Sequence, residues 1–391
     1  MKLKELLINS EIVIGEDDLK EKLAAGKRLK IKFGVDPTRP DLTFGHLVVF
    51  NKLKQFQDAG HETILIIGDF TARIGDPSGR SELRPELTEK EVDANARTYL
   101  EQAFRILDSK KTEIRRNSEW FSKMTFEDSL ALTRKMTVAR MLERDDFDKR
   151  FKSNQPISMV EFMYPLIQGY DSLILESDVE IGGSDQLFNM LVGRNLQKQK
   201  GIVGQTVMTL PLLVGLDGLR KMSKSYDNYI SFNDQAKDIF GKTMSISDEA
   251  MIDYYRLLLL KEEKFIKELK KTHPMEAKMN LAKELTSIFY GNDRAQEEMN
   301  SFSKVFSEGK EPIEMPSFSI SSLALEVPSL LNLLTRTQLF GSKGEIRRLV
   351  QQGAVKLEGE KILNCDYILS TVNEKGMVLR VGKKIFIRII P

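Results

Sequence analysis

The chain has 391 residues, 41% of them hydrophobic, with 59 Lys/Arg against 57 Asp/Glu and a single cysteine, Cys365. These values describe a globular protein of two or three domains. They exclude an intrachain disulfide framework, a cysteine-rich zinc site and a bulk polycation. The three histidines, His46, His61 and His273, are too scattered for a metal cluster, so no metal site is expected. No apolar run reaches the roughly 18 residues of a membrane span. The start, Met1-Lys2-Leu3-Lys4-Glu5, lacks the long apolar stretch of a signal peptide, so the expected location is cytoplasmic.

Taken in chain order, Leu29–Val35 reads as a short strand ending at Asp36-Pro37. Leu47–Ala59 reads as a helix, with Val49, Leu53 and Phe56 at i, i+4, i+7 and Gly60 beyond its end. Thr63–Ile67 is a continuous β-branched and apolar run, the pattern of a strand buried on both faces. Val179–Ile181 and Val207–Val214 are further strand candidates. This alternation predicts an α/β fold with a doubly wound parallel sheet of Rossmann type, whose ligands bind beyond the carboxyl ends of the strands. From about Asp234 the signals become helical: Asp248–Leu260, Lys264–Lys271, Met275–Tyr290 and Asp293–Phe306. Ser307–Ser322 is rich in Ser, Pro and Glu and reads as a linker. From Ser329 to Pro391 there are eleven Lys/Arg against five Asp/Glu, so a small basic end follows a mildly acidic body. Such an end suits an anionic partner, although a solvated surface has the same composition. The expected division is a Rossmann-type domain over 1–233, a helical domain over 234–306, a linker over 307–325 and a small α+β domain over 326–391.

Two short strings carry chemistry. Thr43-Phe44-Gly45-His46 sits between a strand and a helix. Gly45 admits a close ligand, and His46 on the first helical turn can donate to a phosphate beside the positive end of the helix. Lys221-Met222-Ser223-Lys224-Ser225 follows the turn-like Asp217-Gly218. A loop of this kind can bring two ammonium groups onto a triphosphate and stabilise charge developing on pyrophosphate. Each string alone is also compatible with a plain helix start or a solvated basic loop. Farther along, Tyr164, Gln168 and Asp171 share one helix face at i, i+4, i+7, on a helix otherwise apolar around much of its circumference. A polar stripe in that setting suits a pocket lining. Gly182-Gly183-Ser184-Asp185-Gln186 follows a strand and opens a helix, where Asp185 is either an N-cap or a ligand residue.

Together the two strings resemble the HIGH and KMSKS signatures of class I aminoacyl-tRNA synthetases. The order and spacing of Phe33–Thr38, Ile74–Gly79, Tyr164–Asp171 and Ile181–Gln186 resemble the bacterial tyrosyl-tRNA synthetase family, in the branch with the KMSKS spelling. The resemblance covers nearly the whole chain. It implies ATP-dependent activation of L-tyrosine and transfer to tRNA(Tyr), with Mg2+ accompanying ATP, and a homodimer. It further implies that Asp171 accepts from the tyrosine phenol, that Tyr164, Gln168 and Asp76 hold the α-ammonium, and that Gln186 meets the carboxylate region. Gly34, Asp36, Gly45, Gly183, Asp185, Leu212, Leu213 and Lys224 would bind the nucleotide, with Asp185 on the ribose. Thr38, Thr43, His46, Lys221 and Lys224 would act on the phosphates, assisted by Arg80 and Arg84.

Two positions depart from the family pattern. Thr43 stands where the first histidine of HIGH is usual, and adenylate formation is expected to survive but to run slower. Lys32 stands where many members carry a tyrosine that touches the phenol; it is either part of the pocket or a strand lysine paired with an acid. These departures keep open a paralogue for a modified tyrosine. A tryptophan-type relative and a catalytically weakened RNA-binding relative are the other readings. At the end of the chain, Ser342–Val350 reads as a short basic helix, Gly353–Lys361 as a turn and hairpin, and Lys383, Lys384 and Arg388 fall in a last strand. This stretch resembles the small αL RNA-binding domain, which implies RNA contacts at Lys343, Arg347, Arg348 and Lys356.

Overall fold

The computed structural model describes every residue except 1–2, 77–86, 307–314, 321–328, 338, 370–371, 373–375 and 383–384. The chain divides into two compact units, Met1–Ala295 and Gln296–Pro391.

The first unit is built on six strands: β1 (Ile12–Ile14), β2 (Lys30–Val35), β3 (Glu62–Ile67), β4 (Thr112–Arg116), β5 (Val179–Gly183) and β6 (Thr206–Leu210). Their order is β1-β6-β5-β2-β3-β4. Five strands are parallel, and β1 closes one edge antiparallel to β6. This is the doubly wound sheet expected from the alternation. Strand β3 is buried at every residue after the first, as its continuous apolar run requires. Strand β6 stops at Leu210 instead of continuing to Val214, because Pro211 has no N–H to give the ladder. The chain leaves β2 for β3 on one side and meets β5 on the other. That reversal opens a crevice beyond the carboxyl ends of β2 and β5.

Helices cover the sheet. Phe44–Asp58 follows β2 and buries Phe44, Leu47, Phe50, Leu53 and Phe56. Met159–Leu175 packs along Leu187–Gln199, the helix after β5. Later helices run Ala236–Ser245, Asp248–Leu257, Glu263–Leu269 and Pro274–Phe306, the last interrupted at Gly291, where φ is 80°. That break falls between the two helices expected there. Phe289 stacks on Phe44 at 5.4 Å and meets Phe232 at 4.9 Å, so this helical segment shares the core of the sheet.

The second unit has a sheet in the order β7-β11-β10-β8-β9, from β7 (Ser317–Ser319), β8 (Val355–Leu357), β9 (Glu360–Lys361), β10 (Met377–Val381) and β11 (Ile385–Ile390). Strand β7 lies within the stretch read as linker. Phe318 packs on the core formed by Leu333, Ile346, Val350, Leu379 and Ile387. Three residues are too few to show a period. The basic helix is present as Lys343–Gln351, with Ile346 and Val350 turned inward. The hairpin is β8–β9.

Candidate active site

A cavity of about 510 Å³ opens at the crevice and is lined by every candidate residue proposed for substrate chemistry among the described residues of the first unit. From β2 and its following loop come Gly34, Asp36 and Thr38. Thr43, Gly45 and His46 come from the start of the next helix, and Asp76 from beyond β3. Tyr164, Gln168 and Asp171 face in from Met159–Leu175, and Gly183, Asp185 and Gln186 from the end of β5. Leu212, Leu213, Lys221 and Lys224 close the other side. Arg80 and Arg84 lie outside the described residues.

Asp171 is 4% exposed and accepts from Trp120 Nε1 at 2.9 Å, with Asn117 Nδ2 at 3.5 Å. Burial pushes its carboxyl up to about 7, against the opposing Lys32 charge and the two hydrogen bonds. Neither Asn117 nor Trp120 stood out in the sequence. They follow β4, and the parallel pairing of β3 with β4 brings them against Asp171. The one available signal was that Trp120 is the only tryptophan in the chain.

Lys32 is fully buried and spends all three donors within the protein: on Gln168 O at 3.0 Å, Ser172 Oγ at 2.7 Å and Glu180 Oε1 at 2.8 Å. Lys32 and Glu180 are register partners on β2 and β5, so their side chains share a face. Lys32 is thus the strand lysine paired with an acid. An ammonium has three hydrogens, and none is left for a ligand.

Asp36 joins the two halves of the site. Its carboxylate accepts from Thr71 Oγ1 at 2.7 Å and from Tyr164 Oη at 2.9 Å. A Cβ on Gly68 would stand 2.1 Å from Asp36 Oδ1 and 2.3 Å from Thr71 Oγ1, so only glycine fits there. Asp76 Oδ2 accepts from Gln186 Nε2 at 3.0 Å. Gly183 also admits a close neighbour: a Cβ would meet Leu212 Cδ2 at 2.8 Å and Asp185 Oδ1 at 2.9 Å.

At the helix start, Thr43 N–H donates to His46 Nδ1 at 3.1 Å, and Thr43 Oγ1 lies 3.0 Å from the same nitrogen. Nδ1 is therefore an acceptor, and Nε2 carries the proton. Burial, then the Lys224 charge, hold the imidazole down to about 4, so it is neutral at pH 7. Lys221 forms an ion pair with Asp185, which is not an N-cap: Gly183 precedes the short turn Ser184–Gln186, and Gln186 precedes the helix Leu187–Gln199. Lys224 Nζ lies 3.3 Å from Tyr99 Oη and 3.4 Å from Arg39 O, and burial lowers it to about 8. The base of this loop is knotted by Asn228, whose Oδ1 accepts from Ser223 N at 2.8 Å and whose Nδ2 donates to Asp217 at 3.0 Å. Arg39, Tyr99 and Asn228 were not legible from the motifs.

In the second unit Lys343, Arg347 and Arg348 are exposed and Lys356 is half-buried. Lys356 stands in register with Lys361 on one side and Arg380 on the other, a cross-strand row of three cations. Lys383 and Lys384 lie outside the described residues. Among the described residues, no group of three or more His, Cys, Asp or Glu is placed to hold a metal ion, and no helix is long and apolar enough to cross a membrane.

Residues 24–307 match the family described as tRNA synthetases class I (W and Y), and residues 310–389 match the tyrosine–tRNA ligase SYY-like C-terminal domain. A tyrosine–tRNA ligase of Oleidesulfovibrio alaskensis is 50% identical over 394 residues, covering 99% of this chain and 98% of the relative. One from Thermotoga maritima is 50% identical over 393 residues, covering 99% and 96%. Among solved structures, the fold is similar to tyrosyl-tRNA synthetase from Archaeoglobus fulgidus complexed with L-tyrosine, with a TM-score of 0.63 at 24% identity over 76% of this chain and 98% of that one. Half-identical relatives along nearly the full length, and a family pattern over residues 24–307, mean that the chain belongs to the class I tRNA synthetases of the tryptophan and tyrosine group.

Proposed function

We propose that the chain is a tyrosine–tRNA ligase that makes tyrosyl-adenylate in this cavity and transfers the tyrosyl group to the 3′-terminal ribose of tRNA(Tyr). The observation that carries the choice of tyrosine is the buried Asp171 carboxyl, which lines the cavity and is held by Trp120 and Asn117. A phenol hydroxyl satisfies that acceptor. Phenylalanine would leave a buried charged group without its partner, at a cost of about 1–3 kcal/mol or more. Tyr164 donates its own proton to Asp36, which leaves its oxygen as an acceptor for the substrate ammonium. Gln168 and Asp76 complete that ammonium site, and Gln186 meets the carboxylate.

The carboxylate oxygen attacks the α-phosphorus of ATP, and the bond to pyrophosphate breaks. Negative charge grows on the leaving group, opposite Lys221, Lys224, Thr38 and the Nε2–H of His46. Thr43 fixes the tautomer that makes His46 a donor. Asp185 takes the ribose hydroxyls, while Gly34, Gly45, Gly183, Leu212 and Leu213 line the nucleotide. Magnesium enters with ATP as part of the substrate. Positioning and fixed charge carry the step, and no covalent enzyme intermediate is needed.

Lys343, Arg347, Arg348 and Lys356 contact tRNA phosphates. Like charges facing one another across strands destabilise a sheet, so the Lys361–Lys356–Arg380 row supports an anionic partner. The chain works as a homodimer in the cytoplasm. The segment from Phe126 to Val160 supports self-association, because Phe126, Leu130, Val138, Phe151, Met159 and Val160 all expose large apolar side chains there. The test is aminoacylation of bacterial tRNA(Tyr) and tRNA(Trp) with tyrosine and with tryptophan. Charging of tRNA(Tyr) with tyrosine alone is expected, and charging with tryptophan would overturn the reading. Replacing Lys343, Arg347 and Arg348 by alanine is expected to raise KM for tRNA while leaving tyrosine activation intact.

A further inference from the structure

Asn189 is the third residue of the helix Leu187–Gln199 and is 1% exposed. No signature string contains it, and the substrate contacts above give it no task. Yet its amide is fully used. Nδ2 donates to Gln168 Oε1 at 3.0 Å and to Gln186 Oε1 at 3.2 Å, while Oδ1 accepts from Arg144 at 3.3 Å. Asn189 therefore joins two glutamines from different elements, both of which line the cavity.

The network runs in one direction. A guanidinium only donates, and an ionised carboxylate only accepts. Arg144 stands at the donor end. Glu180 accepts from Gln168 Nε2 at 3.2 Å, and Asp76 accepts from Gln186 Nε2 at 3.0 Å. These ends dictate which way each of the three amides faces. Turning any one of them over would set N–H against N–H, or oxygen against oxygen. The donor end is itself rigid: Arg144 is 6% exposed, is held by both oxygens of Asp146 at 2.6 Å, and lies 3.9 Å over the Phe147 ring.

We infer that Asn189 is a positioning residue for the amino-acid headgroup: it aligns Gln168 and Gln186 so that one presents its oxygen to the ammonium and the other its N–H to the carboxylate. The inference rests on the reading of this cavity as the site of tyrosine activation. A merely structural role would also satisfy all three amides, but it would not favour one end of the substrate over the other.

The discriminating experiment uses the full chain, with Asn189→Asp and Asn189→Ala, in tyrosine-dependent ATP–pyrophosphate exchange. Aspartate is the same size but sets an acceptor against two acceptor oxygens. KM for tyrosine is expected to rise about ten- to one-hundred-fold in Asn189→Asp and by roughly five- to ten-fold in Asn189→Ala. KM for ATP is expected to stay within about two-fold in both. Inhibition by 4-ethylphenol, which has the phenol end but neither ammonium nor carboxylate, is expected to stay equally constant. An unchanged KM for tyrosine, or equal weakening of tyrosine and 4-ethylphenol, overturns the positioning role. Should Asn189→Asp fail to fold, Asn189→Ala decides by the same criteria. A parent enzyme without tyrosine-dependent exchange would sink the functional reading itself, which is a separate result.

Discussion

Replacing Asp171 with asparagine should weaken tyrosine use and strengthen the fold, with a pH dependence that identifies the cause. Burial holds the Asp171 carboxyl at about 7 in the folded protein, against an ordinary value of 3.8. Between those two values the folded state binds the proton more tightly than the unfolded state does. Stability therefore falls as pH rises through that window and stays low above it. Between pH 5 and pH 8 the loss integrates to about 2–3 kcal/mol, at roughly 1.4 kcal/mol per pKa unit. Asparagine does not titrate, so the variant escapes this loss. Its side-chain oxygen can keep the Trp120 bond at 2.9 Å. Trp120, the only tryptophan, touches the substituted residue, so its fluorescence during urea unfolding reports on the right unit. The stability advantage of Asp171→Asn over the parent is expected to grow by about 2–3 kcal/mol from pH 5 to pH 8. The same variant is expected to lose about ten- to one-hundred-fold in kcat/KM for tyrosine, because a charge-accepting partner for the phenol is gone. A stability difference independent of pH, or unchanged use of tyrosine, would refute the reasoning.

Three further outcomes follow from the geometry. In exchange assays kcat/KM for tyrosine should rise through about pH 7 as Asp171 ionises and fall above about pH 8 as Lys224 loses its proton; Lys224→Arg should carry the alkaline limb upward, and an unmoved limb would remove Lys224 from the profile. Gly68→Ala should lower the thermal midpoint by several degrees and raise KM for tyrosine, since its methyl group meets Asp36 and Thr71 at 2.1 and 2.3 Å. Gly34→Ala meets nothing within 4 Å and should leave the midpoint unchanged while raising KM for ATP; equal behaviour of the two variants would contradict their assigned places. Thr43→His should raise the rate of pyrophosphate exchange by restoring a second imidazole to the phosphates, and no increase would count against a phosphate role for this position.

Much of this site was legible because its parts are local. Tyr164, Gln168 and Asp171 fall on one helix face by spacing alone, and a parallel sheet is signalled by buried runs such as β3. The Lys221–Ser225 string needed no structure to be noticed. What escaped is what register and crossing create. Lys32 had two readings until the β2–β5 register set it beside Glu180. Asn117, Trp120, Tyr99 and Asn189 belong to no string, and each acts by touching a residue distant in sequence. Gly68 is one glycine among 25, singled out only by the carboxylate packed against it. Strand β7 escaped for a different reason. With three residues it is shorter than any period that could reveal it, and it exists because β11 offers it an edge.

The central claim is that the pocket lined by Asp171 selects tyrosine. It is tested most directly by ATP–pyrophosphate exchange across tyrosine, phenylalanine, tryptophan and ring-substituted tyrosines. Exchange with tyrosine far above all others is the predicted result. A ring-substituted tyrosine or tryptophan supporting faster exchange than tyrosine would contradict it.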